Sequence, residues 1–193
     1  MAPGFFERST LAVARSLIGM HLLHRDGSRL RAGRIVETEA YQGPRDLAAH
    51  SSRGRTARTE VMFGPPGHAY VYFIYGFWNC LNVVTGAAGV PHAVLVRALQ
   101  PLDGLAERTW GPGLLCRALG IDRRLNGANL RGTRLWLEAP PPGSAAPRIA
   151  RATRIGVDYA GDWAQRPWRF FERDSPFVST APAAARRLRG VLA

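Results

Sequence analysis

Two glutamates and a tyrosine lie close together in the segment GRIVETEAYQG, which begins at Gly33. If this segment is a strand, alternate side chains share a face. One face then carries Ile35, Glu37, Glu39 and Tyr41, and the other carries Val36, Thr38 and Ala40. Neighbouring carboxylates repel, so the pKa of one rises toward the range of a general base. Ion pairing of each glutamate with an arginine is the alternative, and the two glutamates alone favour it.

A second group of candidate residues is aromatic. The segment YVYFIYGFWN, residues 70–79, predicts a strand and an exposed turn that carries Tyr75, Phe77 and Trp78. In a protein rich in arginine, such a turn is suited to unstacking a base step from the minor groove. For Phe77 and Trp78, packing beneath the preceding loop is an equally good interpretation. Tyr75 beside Gly76 favours insertion into DNA.

Metal and nucleotide chemistry find little support in the sequence. His21 and His24 are three residues apart on a predicted strand, which places them on opposite faces, and no Cys or His pair has zinc-site spacing. The zinc-deaminase signature, the GxGxxG motif and the Walker loop are all missing. We therefore expect neither a metal nor another cofactor.

The composition predicts a binding partner and excludes one type of catalysis. The 193 residues are 46% hydrophobic, enough for one domain over residues 1–193. All 26 basic residues are arginines, against 14 acidic ones, and the net charge of +12 favours a polyanion unless it reflects a general richness in arginine. Because lysine is absent, a Schiff base could form only at the terminal amine.

The elements that position these residues follow from periodicity and turn signals. Helices are predicted over 9–18 and, after Gly111-Pro112-Gly113, over 114–119; strands are predicted over 20–24, 30–41, 70–75, 80–85, 93–99 and 135–138. Residues 43–67 and 139–147 read as loops, and the chain from 154 onward as turns and short apolar pieces. The predicted class is α+β with a mainly antiparallel sheet. Without a signal peptide or an apolar run of membrane-spanning length, we expect a soluble intracellular protein with Cys80 and Cys116 reduced.

Five motifs occur in order over residues 5–178: RIVETEAYQGPRDLAAHS, MFGPPGHAYVYFIYGFWNCLNVVT, VLVRALQPLDG, GPGLLCRALGI and RIGVDYAGDWAQRPWRFF. Together they resemble the alkyladenine (3-methyladenine, methylpurine) DNA glycosylase family. The resemblance implies a curved antiparallel sheet with a protruding hairpin that inserts into DNA. It also implies a monofunctional, monomeric hydrolase that flips a damaged purine out of double-stranded DNA and leaves an abasic site, in the bacterial nucleoid or otherwise the nucleus.

The resemblance also implies roles for individual residues. For catalysis it implies Glu39 as the general base that activates a water, with Arg97 and the Val157 carbonyl holding that water. For the flipped base it implies contacts from Tyr41, His50 and Tyr72, and crowding of the guanine amine by Asn82. For DNA it implies Tyr75 as the residue that fills the gap, with Met62, Arg55 and Arg58 as further contacts.

Two alternative functions stay open on the sequence. One is a protein of the same fold that binds lesions without cutting them, and the other is an RNA-binding β domain. Three residues depart from the expected family pattern. Trp78 is bulkier than expected, Glu60 adds a negative charge to a loop expected to be basic, and Asp158 adds one beside the proposed water site.

Overall fold

The computed structural model describes residues 2–102, 104–180 and Arg186. Within these residues the strands are β1 His21–Asp26, β2 Arg29–Gln42, β3 Ala69–Ile74, β4 Trp78–Thr85, β5 His92–Pro101, β6 Leu135–Glu138, β7 Ile149–Ala152 and β8 Arg169–Glu172. The α-helices are α1 Thr10–Leu17 and α2 Pro112–Leu119. Short 3-10 helices are Phe5–Glu7, His50–Arg53, Glu60–Phe63, Arg123–Leu125 and Asp158–Trp163. None of the described helices is long and apolar enough to cross a membrane.

The eight strands form one curled antiparallel sheet around the long strand β2. The main order is β3-β4-β5-β2-β1-β6. Because β2 has 14 residues, its first half pairs with β1, while Glu37–Glu39 pair with β8, which in turn pairs with β7. The predicted α+β class with a mainly antiparallel sheet is confirmed, and the candidate base Glu39 lies on its central strand.

Both predicted helices form, and α2 begins at Pro112, two residues before the predicted start. Ser9 caps α1 by accepting a hydrogen bond from the Ala12 N–H at 3.3 Å. Gly120 ends α2 in the left-handed region, with φ of 71°. Helix α1 buries Val13 and Leu17 completely against the sheet, and each such side chain contributes roughly 1.5–3 kcal/mol.

Strand β2 contains an irregularity that the sequence did not predict. Its register with β5 shifts on both sides of Glu37. As a result Ile35 lies in the main core together with Ala40, which was predicted on the other face, whereas Val36 joins a second cluster with Phe177 and Val178. The predicted assignment of Ile35 and Val36 to faces is therefore wrong, because a bulge interrupts the alternation of side chains.

The C-terminal part of the chain is more regular than predicted. Strand β8 lies within the residues from 154 onward that were expected to form turns and short apolar pieces, and it pairs with β7, to which no element was assigned. Strand β8 places Arg169 opposite Glu39 on β2. Each of these strands has only four residues, too few to show a clear alternating pattern in the sequence. This hairpin brings a further basic residue to the carboxylates.

Candidate active site

A cavity of about 450 Å³ opens between the β3–β4 hairpin, the start of α2 and the segment 155–159. A cavity of this size accommodates a small aromatic ligand such as a purine. The predicted site residues that line it are Tyr41, His50, Met62, Tyr72, Tyr75, Asn82, Arg97 and Val157. Glu39, Arg55 and Arg58 lie outside this lining. Residues separated by more than 100 positions in the sequence thus converge on one cavity.

Glu39 lies beneath the floor of the cavity and has no exposed surface. Its Oε2 accepts the Tyr41 hydroxyl at 2.8 Å and forms an ion pair with Arg97 Nη1 at 3.2 Å. Its Oε1 accepts the Ile155 N–H at 2.8 Å. A carboxylate oxygen can accept two hydrogen bonds, so Oε1 has capacity for one more donor. Its neighbours Tyr41, Arg97 and Ile155 all line the cavity.

Burial raises the pKa of Glu39 above its usual value of 4.5. Desolvation is the largest cause, because the charged form loses its contact with water. Arg97, the Ile155 N–H and Tyr41 oppose the rise, and Glu37 adds only a small further increase. The direction agrees with the sequence analysis, whereas the main cause is burial and not the neighbouring carboxylate.

Arg97 contacts the candidate base, and Val157 lines the cavity above it. The Arg97 guanidinium contacts both glutamates, with Nε 3.3 Å from Glu37 Oε1 and Nη1 3.2 Å from Glu39 Oε2. The Val157 carbonyl accepts the Ala160 N–H at 2.9 Å and keeps one lone pair for another donor. The two groups line the same cavity as Tyr41.

The Tyr41 ring is supported by a buried ion pair that the sequence analysis missed. The Arg154 guanidinium lies 4.7 Å from the ring centroid of Tyr41 and 5.1 Å from that of Trp168. It donates to Asp46 Oδ1 at 2.9 Å and to the Ala40 carbonyl at 2.9 Å. A planar guanidinium that is both stacked and hydrogen-bonded fixes the orientation of Tyr41.

Tyr70, Tyr72 and His50 form an aromatic cluster on another wall of the cavity. The His50 ring packs edge-on against Tyr72 with centroids 4.5 Å apart, and its Nδ1 lies 3.1 Å from the Tyr70 hydroxyl. Burial and two nearby arginines lower the pKa of His50 to about 4. His50 is therefore neutral near pH 7. It can accept or donate one hydrogen bond there without adding charge to the cavity.

Asn82 and Met62 are more deeply placed. The Asn82 side chain donates to the Tyr70 carbonyl at 3.2 Å, which fixes its orientation in the wall. Met62 is only 2% exposed and packs with Tyr70 and Val84. For Met62, predicted as a DNA contact, this position suits contact with a base inside the cavity and not with the surface of a duplex.

The tip of the β3–β4 hairpin exposes two large aromatic rings. Tyr75 is 78% exposed and Phe77 is 66% exposed. Tyr75 has φ of 54°, followed by Gly76 with φ of 74°. A bulky residue in the left-handed region is strained, and such strain concentrates at functional sites. Trp78 instead packs: a Cβ built on Gly113 would lie 2.6 Å from its ring, and Arg117 lies 5.2 Å from the ring centroid.

The two predicted arginine contacts differ in their surroundings. Arg55 forms a surface ion pair with Glu60 at 2.7 Å. Glu60 therefore offsets the positive charge of Arg55 in this loop. Arg58 lies 5.3 Å from the ring centroid of Tyr72, at the wall of the cavity. In the described part of the chain no cluster of His, Cys, Asp and Glu could hold a metal ion.

The fold and the cavity define a class of protein. A purine-sized cavity above a buried carboxylate, beside a hairpin that exposes aromatic rings, has the features of an enzyme that acts on a flipped base.

The chain belongs to the methylpurine-DNA glycosylase family. A model of the family Methylpurine-DNA glycosylase (MPG) matches residues 4–176. The chain is 55% identical over 192 residues to a protein of Anaeromyxobacter sp. (strain Fw109-5), covering 98% of this chain and 97% of that protein. It is 50% identical over 175 residues to a protein of Legionella pneumophila (strain Lens), covering 91% and 95%. Both relatives carry the name "Putative 3-methyladenine DNA glycosylase". The family resemblance is confirmed, and the family is one of DNA repair hydrolases that cleave N-glycosyl bonds.

Proposed function

We propose that this protein is a monofunctional DNA glycosylase that flips alkylated or deaminated purines out of duplex DNA. The substrates are of the 3-methyladenine, 7-methylguanine, hypoxanthine and ethenoadenine class. The observation that carries the proposal is the position of Glu39, a buried carboxylate with a raised pKa directly beneath a purine-sized cavity. Family membership supports the same conclusion independently.

In the proposed reaction a water attacks C1′ of the flipped nucleotide while Glu39 takes a proton from it. The bond from C1′ to the base nitrogen breaks, and the new bond is from C1′ to the water oxygen. The sugar passes through an oxocarbenium-like state that a nearby carboxylate stabilises. Because Glu39 has no exposed surface, substrate binding must shift the floor slightly for a water to reach Oε1.

Arg97, Tyr41 and the Ile155 N–H hold Glu39 in one orientation. In this proposal the Arg97 guanidinium and the free lone pair of the Val157 carbonyl position the water. An N3- or N7-alkylated purine is already cationic and leaves without being protonated. One carboxylate is therefore sufficient for such a substrate.

The cavity walls supply the contacts with the base. Tyr41 and Tyr72 offer aromatic faces, and stacking of a cationic base on such a ring gains roughly 1–2 kcal/mol when desolvated. Neutral His50 offers a hydrogen bond, and Asn82 crowds the exocyclic amine of guanine. Exposed Tyr75 fills the gap that the flipped base leaves in the duplex.

The product of this reaction is an abasic site with an intact backbone. Coupled strand cleavage by a glycosylase uses an amine nucleophile, and the chain contains no lysine. We therefore infer hydrolysis without lyase activity. Duplex DNA is the proposed partner, and a monomer is sufficient because one chain supplies every group named above.

A base-release assay tests the proposal. The protein is incubated with duplexes that each carry one lesion of the proposed class, and free base and strand breaks are measured separately. We expect release of at least one damaged purine, an intact strand until the abasic site is cleaved chemically, and no release of normal purines. Tight binding of a lesion without release would identify a non-catalytic lesion-binding protein. Stronger competition by single-stranded RNA than by damaged duplex would favour an RNA-binding role.

A further inference from the structure

Glu37 is a buried carboxylate that the proposed reaction does not use directly. It has no exposed surface. Its Oε2 accepts the Ser179 N–H at 2.7 Å, and its Oε1 accepts the Ser179 hydroxyl at 3.0 Å. Arg169 Nη1 lies 3.0 Å and Arg97 Nε 3.3 Å from Oε1. This many donors fix the Glu37 carboxylate in place.

Arg97 links this group to the candidate base. One guanidinium contacts Glu37 through Nε and Glu39 through Nη1. Arg169 forms a second ion pair with Glu37, and the described ion pairs include none between Arg169 and Glu39. The two glutamates and two arginines therefore form one buried cluster, in which Glu37 and Glu39 share Arg97.

The cluster gathers four parts of the fold around Glu39. Glu37, Glu39 and Tyr41 come from β2, Arg97 from β5 and Arg169 from β8, while Ser179 belongs to the segment that follows β8. The neutral Ile155 N–H completes the groups that act on Glu39. A change of charge at Glu37 must therefore alter how Arg97 acts on Glu39.

We propose that Glu37 is a positioning residue for the reaction. Glu37 contacts Arg97 through Nε while Glu39 contacts it through Nη1, and Glu37 also pairs with Arg169; in this way it limits how strongly Arg97 stabilises the ionised form of Glu39. This inference rests on the proposed function, because it assigns a role relative to the proposed base. Glu37 itself does not touch the reacting atoms.

Two substitutions shift the system in opposite directions. Glu37→Gln removes a negative charge near Glu39 and leaves Arg97 with Glu39 as its only carboxylate, so Glu39 ionises at lower pH. Arg169→Gln leaves Glu37 dependent on Arg97, which weakens the contact of Arg97 with Glu39. Glu39 then ionises at higher pH. A residue that only stabilises the fold would not produce opposite shifts.

The experiment measures single-turnover base release against pH, with a lesion duplex that the wild-type protein cleaves. The acid limb of the pH–rate profile, where release falls as Glu39 becomes protonated, should move to lower pH by about one unit in Glu37→Gln. It should move to higher pH in Arg169→Gln. Glu37→Gln should also lower the plateau rate, because the base is weaker. Circular dichroism checks that each variant is folded.

Glu172→Gln is the matched control. It makes the same change in the Arg34–Glu172 ion pair, which joins β2 and β8 away from the cavity, with Arg34 Nη2 2.8 Å from Glu172 Oε1. Its acid limb should coincide with that of the wild-type protein.

An unchanged acid limb in folded Glu37→Gln, with only a lower amplitude, would overturn the inference and leave the proposed function intact. If Glu37→Gln does not fold, a shift to lower pH or no shift in Arg169→Gln would overturn it equally. Failure of the wild-type protein to release any base would instead contradict the proposed function.

Discussion

At the scale of the residue, burial controls the chemistry of Glu39. The sequence pattern predicted that two glutamates and a tyrosine lie together. In the structure Arg97 contacts both glutamates, and the tyrosine hydroxyl donates a hydrogen bond to Glu39. The pattern could not predict the partners of these acidic residues that come from distant parts of the chain. Arg169 and Ser179 lie more than 130 positions after Glu37, and Arg154 lies 108 positions after Asp46. Such pairs depend on tertiary packing and leave no local periodicity.

The raised pKa of Glu39 predicts that the proposed catalytic group destabilises the fold at neutral pH. The folded state holds the proton more tightly than the unfolded state, so the contribution of Glu39 to stability is complete below pH 4.5 and is lost as pH rises through the raised pKa. Glu39→Gln should therefore melt at a higher temperature than the wild-type protein at pH 8. The advantage should shrink toward pH 4. A lower melting temperature at pH 8 would show that the ion pair with Arg97 outweighs desolvation.

His50 predicts a pH effect of the opposite sign. Its pKa is lowered from 6.5 to about 4, so protonation is more costly in the folded state. Stability should be complete above pH 6.5 and fall as pH decreases to about 4, by on the order of 3 kcal/mol from this group. Urea unfolding of His50→Asn at pH 7 and pH 4 should show a smaller acid loss than the wild-type protein. An equal loss in both would mean that other groups cause it.

At the scale of the element, the β3–β4 hairpin combines strain at Tyr75 in its turn with packing of the adjacent Trp78. The strands and the turn were predictable from alternation and from Gly76. The bulge in β2 and the short hairpin β7–β8 were not, because a register shift and a four-residue strand are set by the strands they pair with.

Tyr75→Gly tests the function of the strained tip. Glycine tolerates positive φ, so relief of strain offsets its greater entropy when unfolded, and stability should change by less than about 1 kcal/mol. Base release should fall at least ten-fold on a fully paired duplex and much less on a single-stranded substrate, since only the duplex must be unstacked. Parallel losses on both substrates would indicate damage to the cavity itself.

Gly113→Ala tests the packing of Trp78 beside the hairpin turn. The new Cβ would lie 2.6 Å from two ring atoms of Trp78, so the ring must move. We expect a loss of about 1–3 kcal/mol in unfolding free energy and reduced release from duplex. The matched control is Gly111→Ala, whose Cβ would meet Leu114 at an ordinary 3.5 Å. Equal stability of the two variants would show that the Trp78 contact adjusts freely.

At the scale of the whole molecule, the net charge of +12 predicts strongly salt-dependent DNA binding. Each phosphate contact releases a counterion, so four contacts imply a loss of affinity of about two orders of magnitude between 50 and 200 mM salt. Binding of a lesion duplex at several salt concentrations measures the slope. A flat response would mean that the arginines do not contact phosphates.

The charge also explains how the fold accommodates buried acidic groups. The described ion pairs surround Glu37, Glu39 and Asp46 with arginines that the composition supplies in excess. Composition suggested a polyanionic partner, and the order of five motifs identified the family. Neither could show that part of the arginine content neutralises the interior.

The most direct test of Glu39 as the general base is base release by Glu39→Gln under single-turnover conditions, with duplex affinity measured on the same preparation. Release should fall by at least a thousand-fold, while affinity for the lesion duplex should stay within a few-fold of the wild-type value. Glu172→Gln, prepared in parallel, should release base at the wild-type rate. Release by Glu39→Gln at a rate close to that of the wild-type protein would contradict the assignment of Glu39 as the general base.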